Sequence, residues 1–259
     1  MPSARAIARG LTEGHTPERP GYWLHVSGTG TLMHYDETRA RYGEAPALGE
    51  VYHDIDDIDR ILSYPDKAMH RDVEKVVLAA NGAAVRTLIV SPPCIYGAGR
   101  GPSNRRSIQV NRLAALALQD PEGAAPVHGP GPALTQWNHV HVADLSAFFV
   151  LATEAALDTA RGADPLVFGP HAYYFLEAGY HTWREVAEWV SESVARLGYV
   201  VRGDGAAPRI RIIDLKFFAM NSRSVAARAR KYLSWEPQAP GLKESIDGIV
   251  KTEAEVLGK

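Results

Sequence analysis

The sequence predicts an α/β fold with parallel strands. Short apolar runs rich in β-branched and aromatic residues alternate with longer segments whose apolar residues recur at helical spacing. Strands and helices that alternate at these lengths are typical of a parallel sheet with crossover helices. The chain has 259 residues, of which 46% are hydrophobic, and this suits one large domain or two small ones with a packed core.

Local patterns define the elements of the first half. Ala4, Ile7, Ala8 and Leu11 share one face of a helix, and the run over 22–26 is typical of a buried strand. Asn81-Gly82 is a plausible helix C-cap. The elements predicted in this half are a helix over 3–13, strands over 22–26 and 85–90, and helices over 66–80 and 104–119.

The alternation continues in the second half. Thr182 is followed three residues later by Glu185, and this pair forms a capping box at the start of a helix. Asp144 lies near the start of another helix, where its charge favours the helix dipole. The elements predicted in this half are helices over 143–157 and 182–197, strands over 165–168 and 209–213, and helices near 222–233 and 241–257.

Composition excludes several classes of function. The 28 basic and 30 acidic residues give a net charge of −2, so no overall positive field attracts nucleic acid. Cys94 is the one cysteine, which excludes an internal disulfide and a cysteine-based zinc cluster. No secretory signal and no apolar run long enough to span a bilayer is present. We therefore expect a soluble cytoplasmic protein whose partner is a small molecule, not nucleic acid or membrane.

Three segments leave the carboxyl ends of the predicted strands, at 27–31, 91–101 and 169–174. Ligands of parallel sheets bind beyond these ends. In the first segment, Ser27 and Thr29 carry hydroxyl groups that can donate a hydrogen bond to a carbonyl or alkoxide. In the second, two prolines followed by three glycines predict a stiff loop that suits a flat ring. Both segments are also explained as ordinary structured loops.

Arginines form one tight basic cluster just after the second segment. Arg105 and Arg106 are its central members, and Arg100 and Arg112 flank them. Guanidinium groups bind phosphate or carboxylate, which makes Arg105 and Arg106 candidate substrate-binding residues. A solvated helix face is the alternative interpretation.

Two histidines and two tyrosines have both a functional and a structural interpretation. His139 and His141 lie on the same side of a strand, but no third ligand occurs at metal spacing, so packing against the sheet is favoured and no metal site is predicted. Tyr173 and Tyr174 are candidates to line a pocket for a flat substrate, or they belong to the core.

Five segments, in this order, resemble the NAD-dependent epimerase/dehydratase family, the extended short-chain dehydrogenases. They are YWLHVSGTGT at 22–31, HRDVEKVVL at 70–78, the 88–97 segment with its P-x-x-x-Y-G turn, the VHVxD segment within 137–156, and NSR through LSWxP at 221–237. The residues in these segments are most similar to those of a fungal branch of the family that is associated with secondary metabolism.

The resemblance implies a fold, a cofactor and a site. It implies a partial Rossmann-like parallel sheet in residues 1–170 and a small C-terminal α/β part in 171–259 that binds substrate. It places Thr29, with Ser27 beside it, at the catalytic hydroxyl position. It also places Pro92, Pro93, Ile95 and Tyr96 beside the nicotinamide of NAD(P).

The sequence departs from the family at its start. No G-x-G-x-x-G or G-x-x-G-x-x-G turn, which would hold the cofactor's pyrophosphate at a helix N-terminus, follows a strand. The sequence begins at the helix before the family's fifth strand, so we expect an N-terminally truncated family member. A sheet without its first strands has a bare edge, which predicts a homodimer or pairing with a full-length relative.

The family's Tyr-x-x-x-Lys pair is also missing. No tyrosine of this chain has a lysine four residues on, and the corresponding places hold Asp66 and His70. These two residues are candidates for a catalytic acid/base dyad, since histidine titrates near neutral pH. Alternatively, Asp66 is a helix N-cap and His70 an exposed histidine.

Three functions remain open from the sequence. The first is an NAD(P)-dependent oxidoreductase of the epimerase/dehydratase type with a degenerate active site. The second is a cofactor-independent isomerase, dehydratase or cyclase that uses His70, Asp66 and Thr29. The third is an inactive pseudoenzyme or binding partner. Binding of a nicotinamide cofactor separates the first from the other two.

Overall fold

The computed structural model describes residues 2–129, 131–203 and 206–259. Two short 3₁₀ helices accompany the α-helices, at Thr29–Met33 and Lys216–Ala219. The α-helices are α1 (Pro2–Gly14), α2 (His34–Arg39), α3 (Ile58–Leu62), α4 (Arg71–Ala80), α5 (Val110–Gln119), α6 (Val142–Leu157), α7 (Thr159–Ala163), α8 (Trp183–Arg196), α9 (Ala227–Leu233) and α10 (Leu242–Val256).

The strands form four small sheets. They are β1 (Gly21–Val26), β2 (Tyr52–His53), β3 (Val85–Ser91), β4 (Cys94–Tyr96), β5 (Ala125–Gly129), β6 (Gln136–His141), β7 (Tyr173–Phe175), β8 (Tyr180–Thr182), β9 (Ile210–Asp214) and β10 (Ser224–Val225). The first sheet has the order β1-β3-β7 and is parallel throughout. In the second, β4-β6-β8, the first pair is parallel and the other antiparallel, while β5-β9 and β10-β2 are parallel pairs. The predicted α/β fold with a Rossmann-like parallel sheet is confirmed.

The first sheet lies between layers of helix. Trp23 in β1 pairs in register with Thr87 of β3, and Ile89 of β3 pairs with Tyr173 of β7. The inner strand β3 is buried along most of its length, as the apolar run over 85–90 predicts. Helices α1 and α4 contact each other beside this sheet.

The strand predicted over 165–168 is wrong, because this segment is a turn. The Asp164 carboxylate accepts the amide of Leu166 over 2.8 Å, and the Asp164 carbonyl accepts the amides of Val167 and Phe168. Val167 and Phe168 are buried at 3% and 0% exposure, so they are apolar because they pack in the core. The third strand of the sheet is instead β7, within the predicted ligand loop.

Several helices begin later than the sequence predicts. The helix predicted over 66–80 begins at Arg71, because His70 before it has a left-handed φ of 70°. The helix predicted over 104–119 begins at Val110, and the one near 222–233 begins at Ala227. The predicted C-terminus of the first of these helices agrees with the structure, since α4 ends at Ala80 with Asn81 as its C-cap. The predicted capping box of α8 is confirmed.

Two hydrophobic cores hold these layers together. The first surrounds the β1-β3-β7 sheet, and the second lies among α5, α8 and α10. Large buried members of the first are Leu88, Phe148, Phe168, Tyr174 and Trp235, and those of the second include Leu118, Trp137 and Trp183. The division at residue 170 stays a prediction, and β7 beyond it hydrogen-bonds to the first sheet.

Among the residues that the structure describes, no helix combines the length and apolar character that crossing a membrane requires.

Candidate active site

The candidate site lies at the carboxyl ends of β1 and β3. Loop 27–31 follows β1, and loop 91–101 begins at the last residue of β3. The amide of Thr29 donates to the carbonyl of Pro92 over 3.2 Å, which joins the two loops directly. The hydroxyl segment and the proline turn therefore lie side by side at the edge where ligands of parallel sheets bind.

Thr29 is held by a second hydroxyl. Its side chain is buried, and the Ser222 hydroxyl donates to Thr29 Oγ1 over 2.7 Å. The Ser222 oxygen also lies 3.2 Å from the Thr29 carbonyl, so Ser222 contacts Thr29 at two points and fixes its position. Ser222 was not among the residues singled out from the sequence, although it lies in the NSR segment that carries the family resemblance.

Ser27 is tied to a buried charged cluster. Its hydroxyl donates to Glu74 Oε1 over 2.6 Å, and the Tyr173 hydroxyl donates to the same oxygen over 2.8 Å. Arg71 Nη1 donates to Glu74 Oε2 over 3.0 Å, and both charged side chains are buried. Such a pair is tolerated inside a protein when further hydrogen bonds satisfy it. Ser27 thus fixes loop 27–31 to the first turns of α4.

The glycines of loop 27–31 accommodate neighbouring side chains. A methyl group on Gly28 would lie 3.1 Å from His70 Nε2, and one on Gly30 would lie 2.5 Å from Met69 Sδ. The imidazole of His70 therefore rests directly on the backbone of the loop that carries Thr29. His70 is therefore an acid/base side chain in direct contact with the Thr29 loop.

His25 extends this group of titratable side chains. Burial lowers the pKa of His25, the Glu74 carboxylate raises it, and His70 lowers it again. The two imidazoles and the Glu74 carboxylate are thus within electrostatic reach of one another. Neither His25 nor Glu74 was singled out from the sequence, although Arg71 and Glu74 have the i, i+3 spacing of a helical ion pair.

Asp66 and His70 do not hydrogen-bond to each other in the described structure. The Asp66 carboxylate is 79% exposed and forms an ion pair with Lys75, which lowers the pKa of Asp66. Residues 66–70 form turns and a bend, so Asp66 is not the N-cap that the alternative interpretation predicted. The i, i+4 alignment fails here because α4 begins only after His70.

The proline turn borders a cavity of 260 Å³. Pro93 and Ile95 line it, together with Val142 and the arginine segment described below. Tyr96 lies behind the cavity, buried at 1% exposure, and its hydroxyl donates to the carbonyl of Pro240 over 2.8 Å. Gly97 follows at a φ of +91°, and a methyl group there would lie 2.2 Å from His141 Nε2. Only glycine fits this position without displacing its neighbours.

The two candidate arginines have different surroundings. Both line the 260 Å³ cavity and an adjoining cavity of 340 Å³. Arg106 pairs with the buried carboxylate of Glu253 over 3.1 Å, and Asn111 donates to the same carboxylate over 2.8 Å. Arg105 donates to the carbonyl of Gly101 and has no carboxylate partner among the described residues. Of the two, Arg105 is the one without a carboxylate partner among the described residues, and substrate binding by either arginine stays a prediction.

Solved structures with the same fold include several complexes with NAD. The structure of MoeE5 in complex with UDP-glucuronic acid and NAD superposes with a TM-score of 0.61 at 15% identity, over 99% of this chain and 71% of that one. The dTDP-glucose 4,6-dehydratase DesIV from Streptomyces venezuelae, with NAD and TYD bound, gives 0.61 at 16% identity, over 98% and 65%. UDP-glucose 4-epimerase from Thermus thermophilus, in complex with NAD, gives 0.54 at 19% identity, over 90% and 64%. At these identities the likeness shows the fold.

A sequence relative decides the family. Oxidase ucsJ of an Acremonium species is 33% identical over 270 residues, covering 99% of this chain and 76% of the relative. This chain belongs to the same family as oxidase ucsJ, and its fold is that of NAD-dependent epimerases and dehydratases. The resemblance drawn from the five sequence segments is thereby confirmed, although no protein-family model matches the chain.

Two predicted substrate residues of this family member lie in its core. Tyr173 and Tyr174 are 1% and 0% exposed. The Tyr174 hydroxyl donates to the carbonyl of Val167 over 2.9 Å, and burial raises the pKa of both tyrosines. The Tyr173 hydroxyl donates a hydrogen bond to Glu74 beside the site. Substrate contact by either ring stays a prediction.

The two histidines of β6 have separate structural roles. The His141 ring accepts the amide of Ala143 at the start of α6. His139 Nδ1 lies 3.0 Å from His181 Nδ1, so one neutral ring donates to the other. Within the described ranges, no group of three or more histidine, cysteine or acidic side chains is arranged to hold a metal ion.

The family's dinucleotide cofactor fits the described residues at one end. The 260 Å³ cavity beside Pro93 and Ile95 is just below the roughly 300–1,000 Å³ of most small-molecule pockets, so it suits a single ring. Pro92, which the hydrogen bond from Thr29 fixes, stands beside that ring site. The chain has no G-x-G-x-x-G turn, so its described residues offer no cradle of that kind for the pyrophosphate.

Proposed function

We propose that this chain is an NAD(P)-dependent oxidoreductase of the epimerase/dehydratase type that acts on a small metabolite of secondary metabolism. The hydrogen bond from Thr29 to Pro92 carries the proposal, because it brings a hydroxyl donor and the ring-binding turn to one sheet edge. The relative named an oxidase and the NAD named with the solved neighbours support it.

Each side chain has a proposed role. Thr29 donates its hydroxyl proton to an oxygen of the substrate, and Ser222 holds the Thr29 side chain in place. His70, which rests on the same loop, exchanges a proton with that oxygen in place of the family's tyrosine. Arg105 holds an acidic group of the substrate, and Arg106 is fixed by Glu253. NAD(P), held by Pro92, Pro93 and Ile95, supplies hydride transfer when bound.

Calorimetric titration of the purified chain with NADH and NADPH tests the proposal. We expect saturable binding in the micromolar range for one of them. Ile95→Trp fills the ring cavity and abolishes this binding, whereas Leu48→Trp, on a fully exposed side chain, leaves it unchanged. A folded wild-type protein that binds neither nucleotide would contradict the proposal.

A second function is favoured by the position of His70. Its ring occupies the space above Gly28 and Gly30, where a ligand would otherwise approach the backbone. This placement supports a cofactor-independent isomerase, dehydratase or cyclase. In that case turnover needs no nucleotide, and His70→Ala lowers its rate by roughly 10²–10⁴. Asp66→Asn keeps full activity, because Asp66 pairs with Lys75, and an equal loss in both variants would instead support the Asp66–His70 dyad.

The sheet edge bears on the proposed partners. β1 pairs with β3 on one side, and no described strand pairs with its other side. We propose that a second copy, or a full-length relative, covers this edge in the cytoplasm, and only a full-length relative would also supply the pyrophosphate cradle. Light scattering with and without NADH tests this, since we expect a dimer at least when nucleotide is bound. A monomer that binds NADH would contradict it.

A further inference from the structure

A separate cavity of 280 Å³ lies in the segment that connects loop 27–31 to α4. Its walls come from α2, β2, α3 and the residues that flank them. The side chains that the argument uses are Tyr35, Tyr52, Tyr64, Arg39, Arg60 and Glu50. None of these residues lines the cavities beside the proline turn.

Three tyrosine rings form an aromatic wall. The Tyr64 ring centroid is 5.2 Å from that of Tyr35 and 5.7 Å from that of Tyr52. Tyr52 and Tyr64 are both 2% exposed, so their positions are fixed by the surrounding core. Rigid aromatic walls favour a flat ring, which stacks on them face to edge or offset.

Two guanidinium groups flank this wall. Arg39 lies 5.1 Å from the Tyr35 ring centroid, and Arg60 lies 4.9 Å from that of Tyr52. Glu50 accepts a hydrogen bond from Arg39 over 2.6 Å. The two arginine–tyrosine contacts are cation–π pairs, and they hold the planar guanidinium groups at the rim of the cavity. Among the charged side chains that line the cavity, two arginines oppose one carboxylate.

The rim and the wall still have hydrogen-bonding capacity. Arg39 uses Nη1 for Glu50, and its Nη2 and Nε have no partner among the described residues. The Tyr64 hydroxyl is buried and makes no hydrogen bond of normal geometry, although Tyr52 is near enough to influence its pKa. Burial raises the pKa of both tyrosines, so both hydroxyls remain protonated donors at neutral pH.

We propose that this cavity binds a small planar aromatic carboxylate. The ring would pack against the surfaces of Tyr35, Tyr52 and Tyr64 that line the cavity, and the carboxylate would accept hydrogen bonds from Arg39. The volume of 280 Å³ is just below the roughly 300–1,000 Å³ of most ligand pockets, so one ring fits and a nucleotide does not. This site is independent of the proposed oxidoreductase function, because it shares no side chain with the NAD(P) site.

Titration of the full chain with 4-hydroxybenzoate, followed by calorimetry, tests the site. We expect saturable binding with a dissociation constant below about 1 mM. Cyclohexanecarboxylate, which is not planar, and 4-hydroxybenzamide, which is not charged, bind at least about tenfold more weakly.

Three variants assign the binding to this cavity. Arg39→Gln removes a charge-assisted hydrogen bond and weakens binding about tenfold or more, and Arg60→Gln is a second variant at the opposite rim. Arg41→Gln is the matched control, because Arg41 also pairs with Glu50 but does not line the cavity. Its affinity stays within about threefold of wild type.

The proposal fails if folded wild-type protein, checked by circular dichroism, shows no saturable binding of 4-hydroxybenzoate. It also fails if the three probes bind equally, or if Arg39→Gln and Arg41→Gln weaken binding to the same extent. A binding loss in Arg39→Gln and Arg60→Gln, with Arg41→Gln unchanged and NADH binding retained, supports it.

Discussion

Two buried polar clusters in this protein are stabilised in opposite ways. At the candidate site, the Glu74 carboxylate forms an ion pair with Arg71 and also accepts hydrogen bonds from Ser27 and Tyr173. In the second sheet, the side chains of His139 and His181 hydrogen-bond to each other and to no other side chain among the described residues, with 3.0 Å between their Nδ1 atoms. Burial lowers the pKa of His139 to about 4 and that of His181 well below its ordinary value, so both rings are neutral.

The difference shows that burial alone does not decide whether a group is charged. A buried charge persists where several donors replace its water, and a buried imidazole without an acid partner loses its proton. The charged cluster lies beside the loops that we assign to catalysis, whereas the neutral pair joins β6 to β8. The first cluster therefore positions a site, and the second holds two strands together.

The largest expected effect is the loss of Glu74. Glu74→Ala leaves the Arg71 guanidinium, which is 2% exposed, buried without its carboxylate. We expect this to lower the free energy of unfolding by about 3–5 kcal/mol in urea denaturation. Ser27→Ala is the control and removes one hydrogen bond, at about 1 kcal/mol. Equal costs in the two variants would show that Arg71 and Glu74 do not depend on each other.

Acid should lower the stability of the protein through the neutral pair, His139 and His181. The His139 pKa is about 4 in the folded protein and near 6.5 when unfolded, so between these values the unfolded chain binds the extra proton. Stability is therefore lost as pH falls from 6.5 to 4, by about 3 kcal/mol for this residue. Burial also lowers the pKa of His181, so this residue adds to the loss of stability as the pH falls.

Asp54 should act with the opposite sign in the same pH range. Burial raises its pKa to about 6, above the ordinary 3.8, so below pH 6 the folded state binds the proton first and gains stability. Denaturation from pH 7 to 4 is therefore expected to show a steeper loss in Asp54→Asn and a flatter one in His139→Phe. Parallel curves for both variants and wild type would mean that neither group titrates differently on folding.

The smallest expected effect compares two glycines, one in each loop of the candidate site. At Gly97, φ is +91° and an added methyl would lie 2.2 Å from His141, so Gly97→Ala costs about 1–3 kcal/mol. At Gly30, the nearest atom is the Met69 sulfur, the end of a flexible side chain that is 43% exposed. Gly30→Ala therefore costs less than about 1 kcal/mol in thermal unfolding. The reverse order would show that loop 27–31 is the more rigid of the two.

Patterns that depend on neighbouring residues were predictable from the sequence. Apolar runs located β1 and β3, and the spacing of Thr182 and Glu185 located the start of α8. The two loops that leave β1 and β3 were placed at one edge because parallel strands end there together.

Features that depend on residues far apart in the chain were not predictable from the sequence. The segment 165–168 is apolar because it packs in the core, which a pattern cannot distinguish from a strand. The left-handed φ of His70 delays α4, and no residue type signals this in advance. Ser222 and Tyr173 reach the site from about 193 and 99 residues away along the chain, so only the fold reveals them.

The central claim is that His70 lies beside the proposed NAD(P) site at the ends of β1 and β3. Mapping which histidines can be chemically modified tests this claim most directly. Diethyl pyrocarbonate modifies accessible imidazoles, and His70 is partly exposed while His139 and His181 are buried. We expect mass spectrometry to find His70 modified in the free protein and protected by saturating NADH, with His139 and His181 unmodified in both samples. Unchanged modification of His70 in protein that has bound NADH would contradict it.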